Sequence, residues 1–402
     1  SCASMLTRKS PQRTGLSIEL LPISNVDEIE RQWRDLEARS EISFFTSWTW
    51  IGAWLRSLPK TIQPWMLLAR VHDRWMGVGI VVPTVVIKAR CVPMRAWLLH
   101  ETGHPELDKI TIEYNGLVID DTLRHILEPM MLRHLMDHGG GWDEIQFNAL
   151  RSPPLPPPRR RHCQTKIKHA RQAAYQISLV DVRDADRHVA LIKQKPRYHI
   201  KRSLQAYEKD WGPVTIEAAP TLNVALDWME ALKTLHRASW AERQIEGAFS
   251  TPFFNLFHDN LIRAAFPRGE IQILAIRSGP HVIAYLYNFV WNGHVYNYQA
   301  GIDYALAGGK NSPGLVAHSL AIDFNAALGH HTYDLMAGDH PYKRALTLQT
   351  VQLDWFSVRR PGISTKAEDG VRSAARLGWT LSAHTHRLPE WIAASAPFVL
   401  PL

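Results

Sequence analysis

Apolar and polar positions alternate along residues 282–290, where Ile283, Tyr285, Tyr287 and Phe289 share one face. A period of two marks a half-buried strand. Asn292-Gly293 then reads as a tight hairpin turn into a second strand over 294–299. The Gly- and Pro-containing stretch 307–314 cannot continue it. Residues 315–328 carry Leu315, Ser319, Ile322 and Ala326 on one helical face before Gly329. A strand at 332–335, a helical turn at 342–346 and a strand at 350–358 follow. Upstream lie a strand at 214–218 and a helix capped by Thr221 or Asn223, with Trp228, Leu232 and Leu235 on one face. A second helix opens at Thr251-Pro252, and a strand covers 270–276. The order is β-α-α-β-β-β-α-β-α-β.

The first half follows nearly the same plan. A strand at 17–21 precedes a helix marked by Val26, Ile29, Trp33 and Leu36, and a second helix over 46–57 carries Trp50 and Trp54. Strands at 65–71, 76–87, 95–99 and 117–119 lead to a helix over 123–138, capped by Asp121 or Thr122 and closed by Gly139-Gly140-Gly141. A strand at 142–148 ends the half. No letters repeat, but the element order does. The pattern predicts an α/β chain of two tandem copies, each a mixed, mostly antiparallel sheet flanked by helices.

Length supports two units, since 402 residues exceed what one core organises. Ser152-Pro153-Pro154-Leu155-Pro156-Pro157-Pro158 is a stiff spacer. The expected divisions are a disordered or tag-derived arm at 1–15, a first domain at 16–150, a Pro-rich basic linker at 151–175, a catalytic domain at 176–360 and a tail at 361–402. The three cysteines, Cys2, Cys91 and Cys163, show no metal-ligand spacing, which fits a reducing cytoplasm without zinc or a disulfide framework. The 20 histidines are scattered, and no metal is expected. A net charge of +8 favours anionic ligands or surfaces. Much of it sits in Arg159-Arg160-Arg161-His162 and 166–171, read as a solvated linker rather than a nucleic-acid site. No run is long enough to span a bilayer. The apolar, Trp-containing stretch 388–402 suggests weak peripheral contact with the inner face of a membrane.

A Gly-rich loop feeding a helix N-terminus exposes unpaired N–H groups, an anion site suited to phosphates. It is neither a Walker motif nor a dinucleotide fingerprint. Gly309, Lys310, Asn311, Ser312 and Gly314 are its candidate contacts.

The element order is similar to that of the GNAT acyltransferases. Five pieces resemble the CelD/BcsL-type branch of cellulose and exopolysaccharide biosynthesis, itself similar to Fem-type aminoacyl transferases. They are Phe44-Phe45-Thr46-Ser47-Trp48 with Trp54; Leu235-His236 with Trp240 and Gly247-Ala248-Phe249; Asn311-Ser312-Pro313-Gly314; Tyr333-Asp334 with Gly338; and Tyr342-Lys343. The resemblance spans residues 40–345. It implies acyl transfer from acyl-CoA, or from an acyl carrier protein, to an amine of a cell-envelope or polysaccharide precursor, small or lipid-linked. The usual Q/R-x-x-G-x-G/A loop is absent, so the donor's carrier stays open. Fatty acylation of a long-chain base, tRNA-dependent aminoacyl transfer and a non-catalytic adaptor are the alternatives.

Thioester aminolysis needs a neutral amine, a stabilised oxyanion and a protonated leaving thiolate. The resemblance puts Tyr342 at the leaving thiolate, as a phenol of ordinary pKa. His236 is the expected base, with Asp339 and Glu242 behind it, and Asp334 is expected to orient a neighbour. Lys343 and Lys310 are expected at a phosphate or the carbonyl oxygen. Arg197, Lys201 and Arg202 form a basic stripe for CoA phosphate, a carrier protein or an anionic acceptor. The first domain is expected to be a degenerate copy that frames the acceptor cleft.

Overall fold

The computed structural model describes residues 15–151, 166–242, 248–306 and 311–382. The expected arm, the Pro-rich tract, Gly309, Lys310 and the apolar stretch 388–402 lie outside them.

The first half runs β1 (Leu16–Pro22), α1 (Asp27–Glu37), α2 (Trp48–Ser57), β2 (Trp65–Val71), β3 (Arg74–Lys88), β4 (Val92–Leu99), β5 (Val118–Ile119), α3 (Arg124–His138) and β6 (Glu144–Leu150). Then come β7 (Lys166–Ser178), α4 (Leu179–Asp184) and α5 (Gln194–Trp211). The second half runs β8 (Val214–Ala218), α6 (Leu222–Glu242), α7 (Pro252–Ala265), β9 (Ile271–Ser278), β10 (His281–Trp291), β11 (His294–Ile302), α8 (Pro313–Ala327), β12 (Thr332–Ala337), α9 (Pro341–Leu346), β13 (Thr350–Arg359) and α10 (Ile363–Ser382).

Local chemistry explains many of these bounds. Thr251 caps α7 by accepting a hydrogen bond from the N–H of Phe254 at 3.2 Å, with Pro252 at the first helical position. Asn292 and Gly293 take φ of +47° and +76°, the turn that matches strand twist in a two-residue hairpin. At Gly279, with φ of +53°, a Cβ would lie 2.0 Å from the carbonyl oxygen of Trp211, so only glycine fits.

One continuous sheet joins both halves, in the order β1-β2-β3-β4-β6-β13-β7-β12-β11-β10-β9-β8, with β5 beside β3. The expected repeat is visible as β1-β2-β3-β4-β6 against β8-β9-β10-β11-β12. Within each, the last pair is parallel, β4 with β6 and β11 with β12. The centre is an exchange. β7 leaves the first half and pairs with β12, β13 leaves the second and pairs with β6, and the two pair with each other.

The linker expectation is corrected here, because residues 166–175 belong to central strand β7. Their sequence, KIKHARQAAY, hides this. The strand's place is set by backbone ladders on both sides, which need no apolar alternation.

Helices α1, α2, α6 and α7 bury their apolar residues in one core shared by both halves. Its aromatic centre stacks Phe44 on Phe289 at 4.5 Å and sets Trp50 edge-on to Phe257 at 4.8 Å. Residues of α3 and β6 build a separate core in the first half, and α4 and α8 build another in the second.

Candidate functional site

β11 and β12 pair over only three positions, His294 with Thr332, Val295 with Tyr333 and Tyr296 with Asp334. Beyond Tyr296 and Asp334 they diverge. On β11, Tyr298 is an extra residue, since Asn288 pairs with Asn297 and Tyr287 with Gln299. On β12, Met336 takes φ of +66°, unusual for a side chain with a Cβ. The parting strands leave a cavity of about 190 Å³. Helices from both faces of the sheet line it, with His236 on α6 and Gly314 and His318 on α8.

Buried ionic groups pin the parted end of β12. Asp334 accepts hydrogen bonds at Oδ2 from Tyr114 Oη at 2.5 Å and Gln176 Nε2 at 2.9 Å, and at Oδ1 from the N–H of Met336 at 2.7 Å. His294 Nε2 lies 3.0 Å from Oδ2. Glu113 Oε2 accepts from the N–H of Ala337 at 2.8 Å. Lys343 Nζ donates to the carbonyl oxygens of Met336 and Ala337 at 3.2 and 2.6 Å. Burial raises the Glu113 carboxyl to about 7, although the Ala337 N–H and Lys343 oppose the rise. Burial lowers the Lys343 ammonium to about 8, against the pull of Glu113 and Asp334. Glu113 and Tyr114 come from the first half. So does the carbonyl of Ile110, which accepts the Tyr298 hydroxyl.

The sequence-derived candidates divide. His236, Gly314, Tyr342 and Lys343 all line the cavity. His236 is buried, its ring edge-on to Phe249 at 4.9 Å. Tyr342 lies between the rings of His318 and His340, at 5.3 and 6.1 Å. The expectation of an ordinary phenol is corrected, because desolvation and then Tyr304 raise its pKa.

Lys343 is corrected too. It is 2 % exposed, and its ammonium is committed to the β12 carbonyls rather than to a phosphate. Asp339 stands outside the cavity lining, and its carboxylate accepts from Tyr175 Oη at 2.6 Å and from Arg344. Those bonds hold its pKa below the usual value, which makes it a weak base. Arg197 leaves the basic stripe, since its guanidinium donates to the carbonyls of Ala190 and Ile192, while Lys201 and Arg202 are exposed.

Ser312 precedes α8, and its N–H donates to Ser203 Oγ of α5 at 3.0 Å. Asn311 is half-buried beside it. At Gly314, a Cβ would meet Ile302 Cδ1 at 3.2 Å, so glycine eases the close approach of α8 to β11. The side chain of Glu242 is not among those described.

Asn297, Tyr298, His318 and Met336 also border the cavity and were not anticipated. His318 falls one turn after Gly314, a spacing that could have marked it. Burial drops its pKa to about 3, so it is neutral, and its Nδ1 has no hydrogen-bond partner among the described residues. Among the described residues, no group of three His, Cys, Asp or Glu is placed to hold a metal, and no helix is long and apolar enough to cross a membrane.

Residues 194–344 match the family model of the acetyltransferase (GNAT) domain. That span contains β11, α8, β12 and all but the last two residues of α9, so the parted pair and its cavity belong to a GNAT-type domain. No curated protein matches the chain. Among solved structures, FemX superposes with a TM-score of 0.51 at 10 % identity, over 84 % of this chain and 96 % of its own. The C-terminal domain of a putative lysylphosphatidylglycerol synthetase from Agrobacterium fabrum gives 0.49 at 10 % identity, over 88 % and 97 %. A tandem GNAT protein from the clavulanic acid biosynthesis pathway gives 0.44 at 12 % identity, over 86 % and 99 %. Residues 194–344 thus carry a GNAT-type domain, and the described chain is a mixed α/β protein with a mostly antiparallel sheet flanked by helices.

Proposed function

We propose that this protein is an N-acyltransferase that moves an acyl group from acyl-CoA to an amine by direct aminolysis. The observation that carries the proposal is the cavity between β11 and β12, which reaches Gly314 in the first turn of α8 and is lined by Tyr342 and His236. The donor's phosphates would lie toward Gly314, where N–H groups and the helix dipole favour anions. The thioester would lie between the parted strands. The amine nitrogen attacks the thioester carbonyl carbon, and the C–S bond breaks as the tetrahedral intermediate collapses. His236 accepts the proton leaving nitrogen, and Tyr342 donates one to the departing sulfur. The phenol is protonated in the resting site, and its raised pKa makes it a weaker donor to sulfur than an ordinary tyrosine.

With α6 and α8 both lining the cavity, the donor would lie on the α8 side and the acceptor on the α6 side. His236, Asn297, Gln299 and His340 place polar groups among apolar walls, and a volume of about 190 Å³ favours a small amine over a long-chain base. The resemblance to CelD/BcsL-type enzymes makes an amino group of a cell-envelope or polysaccharide precursor the preferred acceptor. An acyl carrier protein could replace CoA as the carrier, with Lys201 and Arg202 as exposed charges beside the site. The test is a thermal-shift series across acyl-CoA chain lengths, followed by turnover against a panel of amino sugars and alkylamines. Stabilisation by short acyl-CoA and turnover of an amino sugar are expected. Absence of any shift would return the chain to a non-catalytic adaptor.

A further inference from the structure

A line of four buried amides crosses the second half from the cavity to α8. Asn297 Nδ2 donates to Asn288 Oδ1 at 2.8 Å, and Asn288 Nδ2 donates to Gln272 Oε1 at 2.9 Å. Gln272 Nε2 donates to Asn325 Oδ1 at 3.0 Å, and Asn325 Nδ2 returns a bond to Gln272 Oε1 at 3.1 Å. The line ends where Asn325 Nδ2 donates to the carbonyl oxygen of Ala321 at 2.9 Å. All four residues are buried, Asn288 and Asn325 completely.

The last link fixes the whole line. A backbone carbonyl only accepts, so Asn325 must present its nitrogen to Ala321. Its oxygen therefore faces Gln272 Nε2, which turns Gln272 Oε1 toward Asn288 Nδ2, which in turn leaves Asn288 Oδ1 to receive Asn297 Nδ2. Turning any one amide over would set oxygen against oxygen. Asn297 borders the cavity, directly after the last position of β11 that pairs with β12. Among the described residues the hydrogen bond of its side chain is the one its Nδ2 donates to Asn288, which leaves Oδ1 without a donor.

We infer that Asn297 Oδ1 receives an N–H of the ligand bound in the cavity, and that Asn288, Gln272 and Asn325 are positioning residues that hold it in that orientation. The inference rests on the transferase reading, in which two such N–H groups enter the cavity: an amide of the donor's pantetheine arm and the acceptor amine. A fixed acceptor costs no reorganisation when the ligand arrives. It would also draw the amine's remaining N–H away from the line of attack.

The experiment uses the full chain with Asn297→Ala and, as a remote variant, Asn325→Ala, which keeps the Asn297 side chain and removes its anchor. Melting curves establish that each is folded. Calorimetry gives affinities for acetyl-CoA and for adenosine 3′,5′-bisphosphate, which lacks the pantetheine arm. Steady-state kinetics use the amine turned over fastest in the panel. Loss of one such hydrogen bond should weaken the affected constant roughly tenfold. If the donor amide is the partner, Asn297→Ala weakens acetyl-CoA and leaves the bisphosphate unchanged. If the amine is the partner, its KM rises and acetyl-CoA affinity holds. Asn325→Ala should move the same constant in the same direction by less. Folded variants with unchanged affinity and unchanged KM overturn the inference while the transferase stands. Wild-type protein that binds no acetyl-CoA overturns both.

Discussion

The two halves use the same parallel pair differently. In the second half, β11 and β12 part and leave a cavity. In the first, β4 and β6 also pair over three positions, Ala96 with Glu144, Trp97 with Ile145 and Leu98 with Gln146, and then part. There the gap is threaded by the chain itself. Asn115 donates through Nδ2 to the Leu99 carbonyl on β4 at 2.9 Å and through its N–H to the Ala149 carbonyl on β6 at 3.0 Å. His100 Nδ1 lies 2.7 Å from Asn115 Oδ1, and Asn148 Nδ2 donates to Glu101 Oε2 at 2.6 Å. The residues just before Asn115 are Glu113 and Tyr114, which brace β12. One segment thus closes its own half and holds the other open. A duplicated fold need not keep two sites when one copy's loop can become the other's support.

The largest expected effect separates the two helix N-termini. Gly314→Asp on α8 should abolish acetyl-CoA binding, because a carboxylate there repels phosphate. The fold should persist, since an acid suits the first turn of a helix. His125→Asp, at the exposed start of α3, should leave binding unchanged. Equal calorimetric affinities for Gly314→Asp and wild type would remove the donor site from α8.

Next is Tyr342→Phe. Its kcat should fall by about 10²-fold or more, with acetyl-CoA affinity within error of wild type, because the hydroxyl acts in the transition state. Full turnover would leave Tyr342 a packing residue between His318 and His340.

Tyr114→Phe asks whether the first half supports the second. It removes the donor at 2.5 Å from Asp334 and should cost about 1–3 kcal/mol in denaturant unfolding. kcat/KM should fall as well, since the β12 end would loosen. Unchanged kinetics would make the brace purely structural.

The smallest effect belongs to the closed half. Burial, with Asp108 adding to it, raises the Glu101 carboxyl to about 8. The folded state then holds a proton that the unfolded state releases near 4.5, so stability declines as pH rises between these values. Glu101→Gln keeps the acceptor for Asn148 and removes that loss. Its Tm should exceed wild type by a few degrees at pH 8.5 and match it at pH 4, with kcat unchanged. A drop in kcat would argue that the first-half cleft takes part in the reaction.

How much could be read from the chain followed the range of the physics. The Asn292-Gly293 hairpin, the Thr251 cap and the repeated element order are local or periodic, and the sequence carries them. Motif order singled out His236, Gly314 and Tyr342, and the fold brings these three to one cavity. The brace was not, because Tyr114 and Asp334 stand 220 residues apart and meet only through the strand exchange. Lys343 looked like a free cation because composition cannot show two carbonyls closing over an ammonium. β7 looked like a linker because its first residues are basic, and only its end, with Ala174, Tyr175 and Ile177, is buried in the cores.

The central claim is that one chain has one donor site, in the second half. Isothermal titration of the full chain with acetyl-CoA tests it directly. The expected result is a stoichiometry of one, lost in Gly314→Asp and kept in His125→Asp. A stoichiometry of two, or one site that survives Gly314→Asp, would contradict it.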